Sequence, residues 1–287
     1  MKTDIQREIT DQIVAMLESG DSNWINPLTL LGGSPVNAAT GRKYRGMNSF
    51  YMSLLGKQYW ACYAQWQSIG AQVRKREDVG PGTRIAKPIP LKDKETGEQT
   101  GLIFTSATVF SSDQVEGWEA PAVPDMVDET ETIETVAQFV ANTKATIVTN
   151  STRPPCYIPS IDTVSMPTRE QFSATDTSTA TECFYSTLLH ELTHWTGHQS
   201  RNDRLKGSRF GSSEYAYEEL IAEIGSAMLC VSLGVSPQAR PDHAKYIGGW
   251  LKALKSDKKF IFKAASDAQK ALDYLESLQS ESIKVAA

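Results

Sequence analysis

The chain has 287 residues, 40% hydrophobic and 22% charged, with 29 Lys and Arg against 34 Asp and Glu for a formal net charge of -5. This is the composition of a globular protein of one large or two ordinary domains, and it excludes a disordered or collagen-like chain. No run approaches the roughly 18 apolar residues of a membrane span, and MKTDIQREIT puts charges where a signal peptide needs an apolar stretch, so a cytoplasmic location without a membrane partner is expected.

Taken in chain order, Thr3 and Gln6 form a capping-box pattern, and Ile5, Ile9, Ile13 and Leu17 recur at helical spacing up to Gly20. Asp4, Glu8, Asp11 and Glu18 on the polar face argue against a basic membrane-surface helix. PVNAATGRKYRG reads as a loop or hairpin, NSFYMSLLGKQYWACYAQWQSIG as one or two helical segments, and the stretch up to about residue 118 as short strands separated by turns. EGWEAPAVPDMVDETETIET has three acidic clusters, two prolines and no basic residue, the composition of a solvated linker or of a linker with the start of a helix. After it come a helical TIETVAQFVANT, β-rich pieces in ATIVTN and CYIPSIDTVSMP, and three helical segments: ECFYSTLLHELTHW, EYAYEELIAEIGSAMLCVSLG and AKYIGGWLKALKSDKKFIFKAASDAQKALDYLESL. The reading is an α+β protein of two domains: a mixed α/β domain over 1–118, an acidic linker over 119–135 and a helix-dominated domain over 136–287. Cys62, Cys156, Cys183 and Cys230 are too dispersed for a compact disulfide framework and are read as idle thiols.

The net charge conceals its distribution. Residues 1–110 carry +3, residues 111–143 carry -8 and residues 144–287 are neutral. Within the first segment, residues 42–87 hold nine basic side chains against Glu77 and Asp78. Tyr44, Phe50, Tyr51, Tyr59, Trp60, Tyr63 and Trp66 are interleaved with them. Cations that follow phosphates and aromatic faces on which bases stack are what single-stranded nucleic acid requires. Helical spacing assigns most of these rings to a core, leaving one to three for stacking. The candidate contacts are Arg42, Lys43, Tyr44, Arg45, Trp60, Trp66, Arg74, Lys75 and Arg76.

Three of the four histidines fall in His190-Glu191-Leu192-Thr193-His194-Trp195-Thr196-Gly197-His198. On a helix, residues i and i+4 lie about 6 Å apart along one face, so His190 and His194 can reach one metal ion. Such an ion makes water acidic and polarises a carbonyl, while Glu191, one residue further round, takes the proton and passes it to a leaving amine. Ligand type favours Zn²⁺, though Mn²⁺, Ni²⁺ or Co²⁺ would also be accepted. His198, about 12 Å along the axis from His190 if the helix continued, is too distant to share the ion; Gly197 is expected to end the helix, and His198 to stand behind the ligands or hold the turn. A third ligand must come from elsewhere, and the next helix offers Glu218, Glu219 and Glu223. Periodicity alone would leave the Glu219 face in solvent, because Leu220, Ile224 and Met228 lie roughly opposite.

YEELIAEIGSAM resembles the following helix of thermolysin-like gluzincins. That resemblance implies Glu219 as the ligand and Glu223 as the carboxylate orienting a ligating histidine, with Glu218 as the alternative ligand; it also implies an oxyanion donor outside the main motif, His243 or Tyr246. GSPVNAATGRKYRGMNSF, AQWQSIGAQVRKRED, ATVFSSDQVEGW, HELTHWTGH, YEELIAEIGSAM and AKYIGGWLKALKSD together resemble the ArdC antirestriction proteins of conjugative plasmids, over about residues 3–280. The resemblance implies an N-terminal single-stranded DNA-binding domain, a zincin-like metallopeptidase domain and protection of incoming plasmid DNA from host restriction, with a host restriction-related protein as a candidate substrate. One departure is Arg76, where the family's turn is expected to carry glycine. Two other readings stand beside the enzyme: a non-enzymatic binder whose metal is structural, and, ranked last, a DNA mimic, which would need a denser acidic surface.

Overall fold

The computed structural model describes residues 4–19, 34–94, 96–121, 129–150, 152–175, 178–205, 212–235 and 243–279. The opening helix α1 spans Ile5–Ser19 and buries Ile5, Ile9, Ile13 and Leu17, the residues that recur at helical spacing. Thr3 and Gly20, read as its start and stop signals, lie outside the described residues. Its acidic face is partly paired: Glu8 meets Arg84 at 2.8 Å, Asp4 pairs with Lys258, and Glu18 with Lys255.

The stretch read as one or two helices contains a strand. Helix α2 (Gly46–Leu54) ends before Gly56, whose φ of 69° suits a residue without a Cβ. Strand β2 (Tyr59–Ala61) and helix α3 (Tyr63–Ser68) follow. Strand β2 runs parallel to β1 (Val36–Asn37) and antiparallel to a long strand. After β3 (Gln72–Val73) comes the single-turn helix α4 (Arg76–Val79), then β4 (Thr83–Lys92) and β5 (Gln99–Ser111), giving a sheet of order β1-β2-β5-β4. Arg76 is the first residue of α4, with no positive φ, so it needs no glycine. Strand β6 (Val115–Glu116) closes a separate pair with β3.

In the second half, α5 (Glu129–Thr143) leads into β7 (Thr146–Thr149), β8 (Cys156–Ile158) and β9 (Thr163–Met166). Their order is β7-β9-β8, with β9 central and buried and β8 at the edge. Residues 122–128 of the expected acidic linker lie outside the described residues. Helix α6 (Ala180–Trp195) starts at a capping box in which Thr179 and Glu182 exchange side-chain bonds with each other's backbone N–H, and it packs on β8 and β9. Helix α7 (Ser213–Leu233) crosses α6. The last predicted helical segment divides at Asp257 into α8 (His243–Ser256) and α9 (Phe260–Ser277).

One hydrophobic core crosses the two halves. Ile5, Ile9 and Phe50 belong to the same buried cluster as Leu189, Leu220, Trp250 and Leu272. The apolar stripe of α1 packs on α8, and α2 packs on α9 and α7. The N-terminal helices therefore help build the ground on which α6 and α7 stand.

Candidate metal centre and basic face

The close crossing of α6 and α7 builds the centre. A Cβ on Gly225 would stand 2.6 Å from Thr193 Cγ2, so at this backbone spacing only glycine fits. Because the helices come this near, the carboxylates at the N-terminal end of α7 are pressed against the histidine face of α6. His190, Glu191, His194, Glu218 and Glu219 are all buried.

His190 Nε2 and His194 Nε2 face each other at 3.1 Å, and a Glu219 oxygen lies 3.6 Å from each. Ligands held tetrahedrally about 2.0 to 2.1 Å from one ion are themselves about 3.3 Å apart. The triangle fits a divalent cation with only small adjustment. Among the described residues, His190, His194 and Glu219 are the group of His, Cys, Asp or Glu whose donor atoms converge in this way.

Each imidazole has a carboxylate behind it. His194 Nδ1 is hydrogen-bonded to Glu218 at 3.2 Å, and His190 Nδ1 lies 3.1 Å from a Glu223 oxygen, at ion-pair distance but out of hydrogen-bond alignment. A carboxylate at Nδ1 favours the tautomer with its proton there, leaving Nε2 free to ligate. Glu218, open as a ligand on sequence grounds, is thus turned to the far side of His194. Arg204 holds it there: Nε donates to Glu218 Oε2 at 3.1 Å and Nη2 to Oε1 at 2.9 Å. The same guanidinium donates to the Thr193 carbonyl at 2.7 Å and the Thr196 hydroxyl at 2.8 Å. Nothing in the sequence spacing of Arg204 links it to His194.

The charges of this cluster are coupled. Burial raises the Glu219 carboxyl, but hydrogen bonds and charge from His190 and His194 outweigh it and hold the group below the usual carboxylate range. Burial likewise disfavours charge on His194, yet Glu218 and Glu219 prevail and raise its pKa to about 10. Glu191 lies beside this cluster on α6, and its charge reaches strand β8, where burial pushes the Cys156 thiol up and Glu191 adds to the shift. All four cysteines are unpaired.

His198 does not stand behind a ligand. Helix α6 ends at Trp195, and the His198 ring meets the Ser200 hydroxyl at 2.8 Å in the turn beyond it. Gly197 keeps the turn close: a Cβ there would stand 3.0 Å from both the His194 carbonyl oxygen and Leu205 Cγ, so a larger residue would push these neighbours back by a few tenths of an ångström. The side chains of His243 and Tyr246, the expected oxyanion donors, lie outside the described residues.

Two aromatic candidates for stacking are core residues. Trp60 and Trp66 are 2% and 0% exposed, with their indole N–H groups donating to the Lys57 and Phe110 carbonyls. Strand β2 turns Trp60 inward, and the edge contact of Trp66 with Trp118 completes a small cluster. Neither offers a face to a base. Tyr44 is half-buried, its hydroxyl accepting from Asn37. Tyr63, at 45% exposure, is the open ring of this region.

The cations are on the surface. Arg42, Lys43 and Arg45 follow β1, and Arg74, Lys75 and Arg76 follow β3; all six are exposed. Several are engaged: Arg45 with Asp273, Arg74 with the Asp113 carbonyl, and Lys75 with Glu77 at 3.9 Å.

Two family models match the chain in tandem: the N-terminal domain of anti-restriction factor ArdC over residues 3–112, and a zincin-like metallopeptidase over residues 134–267. An uncharacterized protein, y4eC, of Sinorhizobium fredii is 38% identical over 97% of this chain and 94% of its own length. A DNA primase TraC of Escherichia coli is 32% identical over 96% of this chain, which spans 20% of that longer protein. Among solved structures, the metal-free crystal structure of the antirestriction ArdC protein from plasmid R388 superposes with a TM-score of 0.76 at 37% identity, covering 96% of this chain and 98% of that one. The Mn(II)-bound structure of the same protein gives 0.77 at 35% identity, covering 97% and 99%.

Proposed function

Because the chain belongs to the ArdC antirestriction family, with an ArdC N-terminal domain followed by a zincin-like metallopeptidase domain, we propose that it binds single-stranded DNA without sequence preference and hydrolyses peptide bonds at a divalent metal centre, thereby protecting incoming plasmid DNA from restriction. The observation that carries the catalytic half is the triangle of His190 Nε2, His194 Nε2 and Glu219, backed by Glu223 and Glu218. The Mn(II)-bound relative supports a divalent cation here, and two imidazoles with one carboxylate suit Zn²⁺ as well as Mn²⁺.

His190, His194 and Glu219 would hold the ion, which when bound supplies Lewis acidity toward a carbonyl and toward water. Glu191 holds the proton of the attacking water on its carboxylate and delivers it to the leaving nitrogen. Glu218 and Glu223 keep the imidazoles on the required tautomer. Strand β8, an edge of its sheet whose Cys156 feels the Glu191 charge, is placed to take an extended polypeptide substrate by strand addition.

The DNA-binding half is supported by the exposed cations at 42–45 and 74–76 and by Tyr63. Such contacts read backbone and ring faces, so affinity should fall with salt and vary little with sequence. The test is a restriction-sensitive conjugation assay with Glu191→Gln and Glu219→Ala, alongside oligonucleotide binding by each variant. Lost protection with DNA affinity retained is the expected result. Full protection by Glu191→Gln would instead mean that DNA binding suffices and the metal centre is structural.

A further inference from the structure

The basic loop after β1 lies against the acidic side of α9, where the two halves of the chain meet. Arg45 Nη2 donates to both oxygens of Asp273, at 2.7 and 2.6 Å. Gln269, one turn earlier on α9, donates to Asp273 at 2.9 Å and accepts the Gly46 N–H at 2.8 Å. Beside this link is a cavity of about 60 Å³ lined by Lys43, Arg45, Ser49, Ser232 and Glu276 among others. Lys43 makes no direct hydrogen bond or close ion pair among the described residues, but its charge and that of Glu276 act on each other across the cavity. Burial raises the Glu276 carboxyl and the Asp273 charge adds to it, against the opposing pull of the Lys43 and Arg45 charges. The seam therefore joins two cations of one half to two carboxylates of the other, with hydroxyls between them, and the Arg45–Asp273 pair is exposed enough to exchange partners, at 61% and 44%.

We infer that this seam is a competitive DNA site: the phosphodiester backbone of a single strand and the carboxylates of Asp273 and Glu276 compete for Arg45 and Lys43, so that α9 sets the affinity of the N-terminal half for DNA. The inference rests on the single-stranded DNA reading above and adds where the strand passes and what it displaces. Phosphate oxygens offer Arg45 the same bidentate acceptor geometry as Asp273 does. Displacing the Asp273 contact also releases Gln269 from its partner, so DNA binding loosens the junction between the basic loop and the helices that carry the metal centre.

The test uses the full chain and a fluorescent oligothymidylate at low salt. Asp273→Asn with Glu276→Gln, both nearly isosteric, is expected to tighten binding roughly three- to tenfold, the scale of an exposed ion pair, and the gain should vanish when Arg45→Ala and Lys43→Ala are also present. Unchanged affinity, or a gain that persists without those cations, overturns the competition while leaving DNA binding intact. Absence of binding by the wild-type chain overturns the DNA reading itself. A measurement on the unaltered chain is independent of variant folding: adding the oligonucleotide should speed hydrogen exchange at the Gly46 amide, and unchanged or slower exchange counts against displacement.

Discussion

Arg204 grips both oxygens of Glu218, at 2.9 and 3.1 Å, while that same carboxylate lies 3.2 Å from His194 Nδ1. A residue in the turn after α6 thus reaches the metal face through a buried carboxylate on α7. His190 has its own carboxylate nearby in Glu223, so the two histidines face separate acids. The Arg204 link also ties Glu218 to the Thr193 carbonyl and the Thr196 hydroxyl at the end of α6.

Replacing Arg204 by alanine should loosen the metal before it abolishes the fold. A partner behind a ligating histidine typically contributes roughly 10- to 100-fold in metal affinity, and removing one member of a buried ion pair costs about 3 to 5 kcal/mol. Chelator competition and thermal unfolding measure the two effects. Lysine at 204 restores charge but not the two-pronged contact, so it should recover little affinity. Wild-type metal affinity in Arg204→Ala would show that Glu218 needs no holding.

Glu219 and Glu191 should separate binding from chemistry. Glu219→Ala removes one corner of the triangle, and metal content after dialysis is expected to fall sharply. Glu191→Gln leaves all three donors in place and should retain metal while losing peptide hydrolysis by roughly the 100- to 10,000-fold typical of a general acid–base group. Elemental analysis of both variants decides the point. Equal loss of metal would make Glu191 a ligand.

Metal uptake should expel a proton near neutral pH. The pKa of His194 is raised to about 10, so without metal it is protonated at pH 7, and a cation claiming Nε2 must displace that proton. Affinity then rises with pH through neutrality and falls as acid is added. Calorimetry in two buffers of unlike ionisation enthalpy should give two apparent binding enthalpies; identical values would rule out net proton release.

Gly225→Ala should destabilise the protein through Thr193. The new methyl would meet Thr193 Cγ2 at 2.6 Å, and overpacking of this kind typically costs about 1 to 3 kcal/mol. Thr193→Ala removes the obstructing methyl, so in the double variant much of the loss should be recovered. A denaturant-unfolding cycle on the four proteins measures the coupling, and simple additivity would mean that the helices part without strain.

Much of the architecture follows from local pattern. The stripe of Ile5, Ile9, Ile13 and Leu17 specifies α1, and the HExxH spacing puts His190 and His194 on one face of α6, because a helix repeats its face every three to four residues. The basic charge of residues 42–87 is equally readable. The aromatics among them were harder to place: Gly56 interrupts the helical spacing and a strand follows, which turns Trp60 into the core, while Tyr63 stays open.

The sequence by itself therefore determined the candidate metal-ligating pair, the general acid–base candidate beside it and the basic character of the first half, since each depends on residues close along the chain. Only the tertiary structure decided where Glu218 and Glu223 stand relative to the two histidines, and it did so through contacts between elements. Helical periodicity alone would have left the Glu219 face in water; the missing side chain at Gly225 lets α7 approach Thr193 closely enough to turn that face against the histidines. Arg204, Asp273 and Glu276 gain their significance in the same way, from charges brought together by folding across distances that no local pattern records.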